Sequence, residues 1–330
     1  MRAAVVREFG PVESAAWSEM PDPAPGPNEV LIKIAATAAN FVDLLVIGGK
    51  YQFLPERPFV PGKLPAGTVA AVGSDVTNLE VGSRVLSLAE HGGYAELIAA
   101  PAAQCFRLPD SMSFVEAAAM ALVYDTAWFA LRDRARVQPG ETVLVLGATG
   151  GVGLAALQLA KAFGARVLAG VSSLSKADLV RESGADEVVD LSRPNLRDSL
   201  REQVYAVTGG NGADIILDPL GDDIFDAALR ALAWRGRLVV IGFAAGRIPT
   251  IKANYLLLKN IEVSGLQVSD YRKRRPEQMA ECIAEIFALY EAGKVRPGPT
   301  TTLPMARFQE ALGQIRDRKA RGRVVLTPTG

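Results

Sequence analysis

The sequence has few of the residues that build metal sites and disulfide frameworks. Its 330 residues include one histidine, His91, and two cysteines, Cys105 and Cys282. Zinc sites take most of their ligands from cysteine and histidine, so this supply argues against a zinc enzyme. Two cysteines so far apart do not make the framework of a small secreted protein. We therefore expect a zinc-free protein of a reducing compartment, the cytoplasm.

Net charge is also lacking, because 36 basic residues balance 36 acidic ones. A chain without net charge has no global field to hold nucleic acid or an anionic membrane. The local basic runs, residues 272–275 and 316–323, are of the kind that usually forms solvated faces. We therefore expect small-molecule partners, with nucleic acid and membrane unlikely.

The sequence contains one long run without charged residues, but glycines interrupt it. Residues 142–160 carry no charge over nearly the ~20 residues that cross a bilayer, but four glycines stand in their middle. This pattern favours a strand, a tight turn and a buried helix. From about residue 141 onward strands and helices alternate, and several candidate strands are apolar on both faces. These candidates, 142–146, 166–169, 187–190, 214–217, 237–241 and 261–266, predict an α/β fold with a six-stranded, doubly wound parallel sheet.

The most informative segment runs from Gly147 to Gly153 and reads GATGGVG. It follows a predicted strand and opens a predicted helix, as the dinucleotide-binding fingerprint does. Ala148, Gly150 and Gly153 occupy the three fingerprint positions, and the helix N-terminus would hold the pyrophosphate. The predicted contacts are Thr149, Gly150, Gly151, Val152 and Gly153. The alternative is a purely structural turn between strand and helix.

The residues that follow the next predicted strand indicate which dinucleotide is bound. An Asp or Glu there would bind the ribose hydroxyls of NAD, but the segment offers Ser172, Ser173 and Lys176 and no carboxylate before Asp178. A 2′-phosphate would relieve the unfavourable place of Lys176 near a helix N-terminus. The prediction is NADPH rather than NADH. The alternative is that the serines only cap the helix and Lys176 is solvated.

Several further motifs accompany the glycine turn, in a specific order and spacing. They are Asn40-Phe41-Val42-Asp43, Gly49-Lys50-Tyr51-Gln52, Pro58-Phe59-Val60-Pro61-Gly62, Gly92-Gly93-Tyr94-Ala95-Glu96, Tyr124-Asp125-Thr126-Ala127 and Ile241-Gly242-Phe243-Ala244-Ala245-Gly246. With them the chain resembles, essentially from end to end, the zinc-independent quinone oxidoreductase branch of the medium-chain dehydrogenase/reductase superfamily. The resemblance implies a barrel-like, GroES-like catalytic domain over 1–123 and 268–330, and a Rossmann NADP(H)-binding domain over 124–267.

The resemblance also implies site residues. Asn40 and Asp43 would form part of the wall of the nicotinamide pocket, and Thr126 would approach the nicotinamide from the other domain. Arg323 matches a basic position that reaches the cofactor phosphates in relatives. The nicotinamide side would be lined by Gly242, Phe243 and Leu266.

Departures from the zinc-dependent relatives are informative. Asn40 stands where those relatives have a cysteine, and Lys63 where they have a histidine. Tyr51 aligns with a tyrosine of the related 2-enoyl thioester reductases, where a phenol can stabilise an enolate oxygen or donate a proton. Alternatively, Tyr51 is only an aromatic residue of the pocket wall and donates no proton. The family often has an acidic residue at position 64, an arginine at 47 and a tyrosine at 191, where this chain has Leu64, Ile47 and Leu191. These differences affect the predicted substrate pocket and one predicted phosphate contact.

Three functions follow as hypotheses. The first is an enzyme that transfers a hydride from NADPH to a quinone or an α,β-unsaturated carbonyl without zinc, with Tyr51, Asn40 and Asp43 as the catalytic candidates. The second is an enoyl-CoA or enoyl-ACP reductase, and the third is a non-catalytic NADPH-binding protein. A homodimer is expected by analogy, through the last strand of the parallel sheet.

Overall fold

A computed structural model describes residues 1–329, which form two compact units. The first unit contains residues 1–122 and the chain from 296 onward, and the second contains residues 123–295. The strands are β1 (Arg2–Val5), β2 (Ala16–Glu19), β3 (Glu29–Ala38), β4 (Lys63–Val72), β5 (Arg84–Ser87), β6 (Leu97–Pro101), β7 (Cys105–Arg107), β8 (Thr142–Val145), β9 (Arg166–Val171), β10 (Glu187–Asp190), β11 (Ala213–Asp218), β12 (Leu232–Val240), β13 (Glu262–Gly265), β14 (Thr300–Pro304) and β15 (Arg323–Thr327). The helices are α1 (Phe41–Ile47), α2 (Phe114–Met120), α3 (Val123–Trp128), α4 (Gly151–Ala162), α5 (Ala177–Glu182), α6 (Leu196–Val207), α7 (Asp222–Ala231), α8 (Ala253–Lys259), α9 (Val268–Arg274), α10 (Pro276–Glu291) and α11 (Phe308–Arg316).

The first unit is built mainly from β-strands, and nine of the chain's 20 prolines, which disfavour long helices, lie before residue 66. Its main sheet has the strand order β14-β15-β3-β4-β5-β7, with β6 also paired to β3. Inward residues of the long strand β3, such as Ile32 and Ile34, are buried, while Lys33 between them is exposed. This alternation puts one face of β3 into the core. The β-rich unit that the sequence predicts on either side of the parallel-sheet domain is therefore present.

The second unit contains the predicted parallel sheet. All six candidate strands are present, in the order β10-β9-β8-β11-β12-β13, and every neighbouring pair is parallel. Ile215, Ile216 and Leu217 of β11 are almost fully buried, as expected for a strand covered on both faces. Because the strands are parallel, their carboxyl ends meet at one edge, where doubly wound sheets bind ligands.

The units differ from the predicted domain division at Val123 and at one longer segment. Residues 268–295, assigned to the catalytic domain from the sequence, belong to the second unit. The apolar stripe of α10, including Met279 and Cys282, is buried, and Glu285 of α10 accepts a hydrogen bond from the Trp128 indole at 2.6 Å. This packing of α10 on α3 ties the segment to the parallel-sheet unit.

Within residues 1–329, no single helix has the length and apolar composition to cross a membrane, and the helices over 114–120 and 123–134 meet that test only as a bent pair.

Candidate active site

Asn40 and Asp43 lie at the start of α1 in a buried polar network of the first unit. Asp43 Oδ2 accepts hydrogen bonds from the Asn40 backbone N–H at 2.9 Å and from the Tyr94 hydroxyl at 2.6 Å. Asn40 Oδ1 accepts from the Arg323 guanidinium at 2.8 Å, and Arg323 Nε donates to the Ala119 carbonyl at 2.9 Å. Residues distant in sequence are thus held in one arrangement, which places the Asn40 amide and the Asp43 carboxylate side by side.

Burial dominates the electrostatics of this network. It raises the pKa of the Asp43 carboxyl above its ordinary value, although the Tyr94 hydrogen bond and the positive charges of Lys63 and Arg323 oppose the rise. Burial, followed by the negative charge of Asp43, also raises the pKa of Tyr94 well above its ordinary value. Tyr94 therefore acts as a neutral hydrogen-bond donor to Asp43 at physiological pH.

Lys63 and Tyr51 form a second group in the first unit. The Lys63 ammonium donates to Glu90 Oε2 at 2.6 Å and to the Glu90 carbonyl at 3.2 Å. Its Nζ lies 5.7 Å from the centre of the Tyr51 ring. Tyr51 is half-buried and contacts Phe53, with ring centres 6.3 Å apart. The position at which zinc-dependent relatives have a histidine therefore holds a paired cation.

The glycine turn of the second unit connects β8 with α4. Gly147 has a φ of +59°, so the left-handed residue of the turn is Gly147, and Ala148, taken from the sequence as the turning position, is fully buried. A Cβ on Gly153 would lie 2.4 Å from the Gly147 carbonyl oxygen, which explains why only glycine fits there. Gly150 is the N-cap of α4 and has no side chain with which to cap this N-terminus. The first N–H groups of α4 are therefore available to an anion.

The predicted ribose-side residues follow β9 at the same edge of the sheet. Ser172, Ser173 and Lys176 are all exposed. The Ser173 hydroxyl accepts a hydrogen bond from the Ser175 N–H at 3.3 Å and so caps a short 3-10 turn that ends at Lys176. The capping predicted as the alternative is thus present, and it leaves Ser172 and Lys176 exposed at this edge.

The residues predicted to line the nicotinamide lie at the same carboxyl edge of the sheet, after β12 and β13. Gly242 and Phe243 follow β12, and Leu266 follows β13, where its N–H bonds the Val240 carbonyl at 2.9 Å. Asp218 ends β11 fully buried, and its Oδ1 accepts from the N–H groups of Leu220 and Gly221 at 2.8 and 3.0 Å. This carboxylate shapes the loop beside the glycine turn, and its burial raises its pKa.

Thr126 lies on α3 next to a buried ion pair. Its backbone N–H donates to Asp125 Oδ1 at 3.0 Å, and Asp125 Oδ2 lies 2.6 Å from the Arg272 guanidinium. The side chains of Asp125 and Arg272 are each only 2% exposed. The pair links α3 to α9, the helix that follows Leu266.

The structure thus places the predicted residues in three groups. Asn40, Asp43 and Arg323 share one network, whereas Tyr51 lies with Lys63. The cofactor residues of the second unit, apart from Thr126 on α3, meet at the carboxyl edge of the sheet. The guanidinium of Arg323, predicted to reach cofactor phosphates, is bonded to Asn40 and Ala119. Its phosphate contact stays a prediction.

Some residues of these groups were not identified as functional from the sequence. Tyr94, Glu90 and Arg272 acquire their partners through contacts between distant segments, so no local pattern marks them. Asp218 bonds the N–H groups two and three residues further along the chain, so an Asp followed by a turn was a local signal for it. The basic runs have acidic partners: Arg274 pairs with Asp270, Arg316 with Glu13 and Asp317, and Lys319 with Asp317. Within residues 1–329, no three His, Cys, Asp or Glu side chains lie together as a metal site requires.

Two family models match the chain. The model of the alcohol dehydrogenase GroES-like domain matches residues 26–110, and that of the zinc-binding dehydrogenase matches residues 151–285. The first lies in the β-rich unit and the second covers most of the parallel-sheet unit.

The chain is also similar to individual proteins over most of its length. It is 39% identical to quinone oxidoreductase-like protein 2 homolog of Nematostella vectensis, over 91% of this chain and 82% of that protein. Its fold matches the Escherichia coli quinone oxidoreductase complexed with NADPH, with a TM-score of 0.91, 28% identity and coverage of 99% and 100%. It equally matches mycobacterial Rv1454c complexed with NADPH, with a TM-score of 0.91, 34% identity and coverage of 99% and 100%. The chain therefore belongs to the quinone oxidoreductase-like branch of the medium-chain dehydrogenase/reductase superfamily and is an oxidoreductase of the medium-chain reductase type.

Proposed function

We propose that this protein reduces a quinone or an α,β-unsaturated carbonyl with NADPH and without zinc. The observation that carries the proposal is the open N-terminus of α4 at the glycine turn, at the same sheet edge as Ser172 and Lys176. The two relatives solved with NADPH support the choice of cofactor.

The residues at this edge fit a dinucleotide. Gly150 has no Cβ and leaves room for the pyrophosphate above the N–H groups of α4, while the exposed Ser172 and Lys176 offer a hydroxyl and a positive charge to a 2′-phosphate. Gly242, Phe243 and Leu266 would line the nicotinamide. When bound, NADPH supplies the hydride, and the chain supplies orientation and electrostatics.

Residue chemistry supports a reaction without zinc. Asn40 and Lys63 stand where the zinc-dependent relatives have a cysteine and a histidine, and Arg323 donates a hydrogen bond to Asn40. A lysine ammonium has no lone pair with which to bind a metal ion, and the Asn40 oxygen already accepts a hydrogen bond from Arg323.

Exposed apolar side chains of the first unit support a flat apolar substrate. Phe53, which contacts Tyr51, and the adjacent Leu54 are 44% and 42% exposed, and Phe41 at the start of α1 is 46% exposed. A quinone ring or an enone could pack on them, and the anion formed after hydride addition to a quinone can be protonated by water. An enoyl thioester is the second candidate, favoured by the Tyr51 phenol, which could bond its carbonyl oxygen.

An NADPH-oxidation screen over quinones, enals and enoyl-CoAs, repeated with NADH, tests the proposal. We expect turnover of quinones or enones with NADPH and a much higher Kd for NADH. Lys176→Ala should weaken NADPH binding about tenfold and leave NADH binding nearly unchanged, because it removes a phosphate contact worth about 1.4 kcal/mol. Equal or tighter binding of NADH by the unmodified protein would contradict the cofactor assignment. Preferred turnover of enoyl-CoA would favour the second candidate.

A homodimer in the cytoplasm is part of the same proposal. The strand predicted to pair across a two-fold axis, β13, is an edge strand of the parallel sheet. The preceding helix, α8, exposes Leu257 and Leu258 at 78% and 72%. Edge strands and large exposed leucines are features that a symmetric partner would cover.

A further inference from the structure

The Lys63–Glu90 ion pair joins a buried ammonium to a partly exposed carboxylate, and the proposed function assigns it no step. The Lys63 side chain is 2% exposed and that of Glu90 is 23% exposed. Removing an ammonium group from water is unfavourable, and it is compensated here by two hydrogen bonds to Glu90. A methionine or leucine would fill the same space without the cost of desolvating a charge. The presence of a charged residue here therefore suggests a functional role.

The backbone beside Lys63 holds the pair in place. Leu64 is fully buried with a φ of +51°, a conformation that branched L-residues rarely adopt. Its N–H donates to the Ala89 carbonyl at 2.9 Å, which sets Lys63 and Glu90 side by side on adjoining segments. Unusual backbone of this kind persists where the surrounding structure enforces it, and it concentrates at functional sites.

The ammonium acts on its surroundings more strongly than the carboxylate does. Water reaches Glu90 and screens its charge, whereas Lys63 is enclosed, so the Lys63 charge is the less screened of the two. The Lys63 Nζ lies 5.7 Å from the centre of the Tyr51 ring. Asp43 of α1 interacts electrostatically with Lys63, and Arg323 of β15 interacts in turn with Asp43.

We propose that Lys63, held by Glu90, is a positioning residue that acts through Tyr51, making the phenol a better hydrogen-bond and proton donor to the substrate oxygen. This inference rests on the proposed function and adds to it the group that controls the proton. When a hydride is added to the substrate carbon, the electron pair of the carbonyl moves to the oxygen. The Tyr51 O–H then gives its proton to that oxygen, the phenolate is stabilised by the Lys63 charge, and water returns the proton to Tyr51.

A spectroscopic titration tests the inference without substrate or cofactor. The protein has seven tyrosines, so the phenolate absorbance of Tyr51 is obtained as the difference between a protein and its Tyr51→Phe counterpart. In Lys63→Met the midpoint of this difference titration should rise by about one pH unit, because the nearby positive charge is lost. Lys63→Arg should restore a midpoint close to that of the unmodified protein. Lys33→Met, which removes an exposed lysine of β3, is the matched control and should leave the midpoint unchanged.

Kinetics give the second measurement. Lys63→Met should lower kcat about tenfold with KM nearly unchanged, and Lys63→Arg should recover most of it. In the Tyr51→Phe background, Lys63→Met should have no further effect on kcat. Thermal unfolding of each variant establishes that it is folded, and if Lys63→Met does not fold, Lys63→Gln takes its place.

The two proposals fail in different ways. If no quinone, enone or thioester is reduced, the proposed function is wrong, while the titration still reports on the Lys63–Tyr51 interaction. If the Tyr51 midpoint is the same with and without the Lys63 charge, or if Lys63→Met lowers kcat equally in the Tyr51→Phe background, the inference is overturned and the proposed function stands.

Discussion

Gly150 and Gly153 of the dinucleotide turn meet different requirements. A Cβ on Gly153 would overlap the Gly147 carbonyl oxygen at 2.4 Å, whereas a Cβ on Gly150 would meet that oxygen at 3.4 Å, an ordinary contact. Gly153 is therefore required for packing, and Gly150 for access to the helix N-terminus. The spacing of the glycines in the sequence suggested a dinucleotide site, and the structure separates the two reasons for the pattern.

Alanine substitutions should distinguish these reasons. We expect Gly153→Ala to lower the free energy of unfolding by about 1–3 kcal/mol, through forced displacement of backbone. Gly150→Ala should lower it by less, about 0.5–1 kcal/mol for alanine at an N-cap, but weaken NADPH binding, because the methyl group would stand where the pyrophosphate approaches. Urea unfolding and a fluorescence titration measure the two effects. Equal losses of stability would contradict the assignment.

Asp43 should give the protein a measurable pH dependence of stability. Its pKa is raised in the folded state, mainly by burial, so the folded protein binds a proton more tightly than the unfolded chain does. The associated stabilisation is complete below the ordinary value of 3.8 and is lost as pH rises through the folded-state pKa. Relative to Asp43→Asn, the unmodified protein should therefore lose stability as pH rises from 3.8. Urea unfolding over this range measures the difference, and Asp178→Asn on the exposed start of α5 is the control.

At the scale of elements, α3 and α9 are joined by the Asp125–Arg272 ion pair. Amphipathic periodicity predicts α10 from the sequence, because its apolar residues repeat every three or four positions. It did not predict where α9 and α10 pack, and the segment 268–295 was assigned to the other domain. Long-range contacts such as Trp128 with Glu285 decide that question, and they have no local signature.

The ion pair should show strong energetic coupling. Asp125→Leu alone should lower the free energy of unfolding by about 3–5 kcal/mol, because it leaves the Arg272 charge buried without its carboxylate. The double variant Asp125→Leu/Arg272→Met should regain most of this loss, since apolar residues can replace a buried pair. Urea unfolding of the two single variants and the double variant provides the cycle. Additive losses would show that the two residues act independently.

At the scale of the whole molecule, the proposed dimer is the property with the clearest test. We expect sedimentation as a dimer at micromolar concentration, and conversion to a monomer by Leu257→Glu/Leu258→Glu, because charges would be buried at the shared surface. Val81→Glu, at a 63% exposed position of the first unit, should leave the dimer intact. A monomer in the unmodified protein would contradict the proposal.

The pattern of residues along the chain was sufficient for the fold class, the six parallel strands and the glycine turn. These features depend on local periodicity and on the conformational freedom of glycine, which are visible in a single segment. The polar network of Asn40, Asp43, Tyr94 and Arg323, the Lys63–Glu90 pair and the packing of residues 268–295 required the folded molecule. Each of them brings together side chains from distant segments, and the burial that sets their charges and hydrogen bonds exists only once those segments have packed.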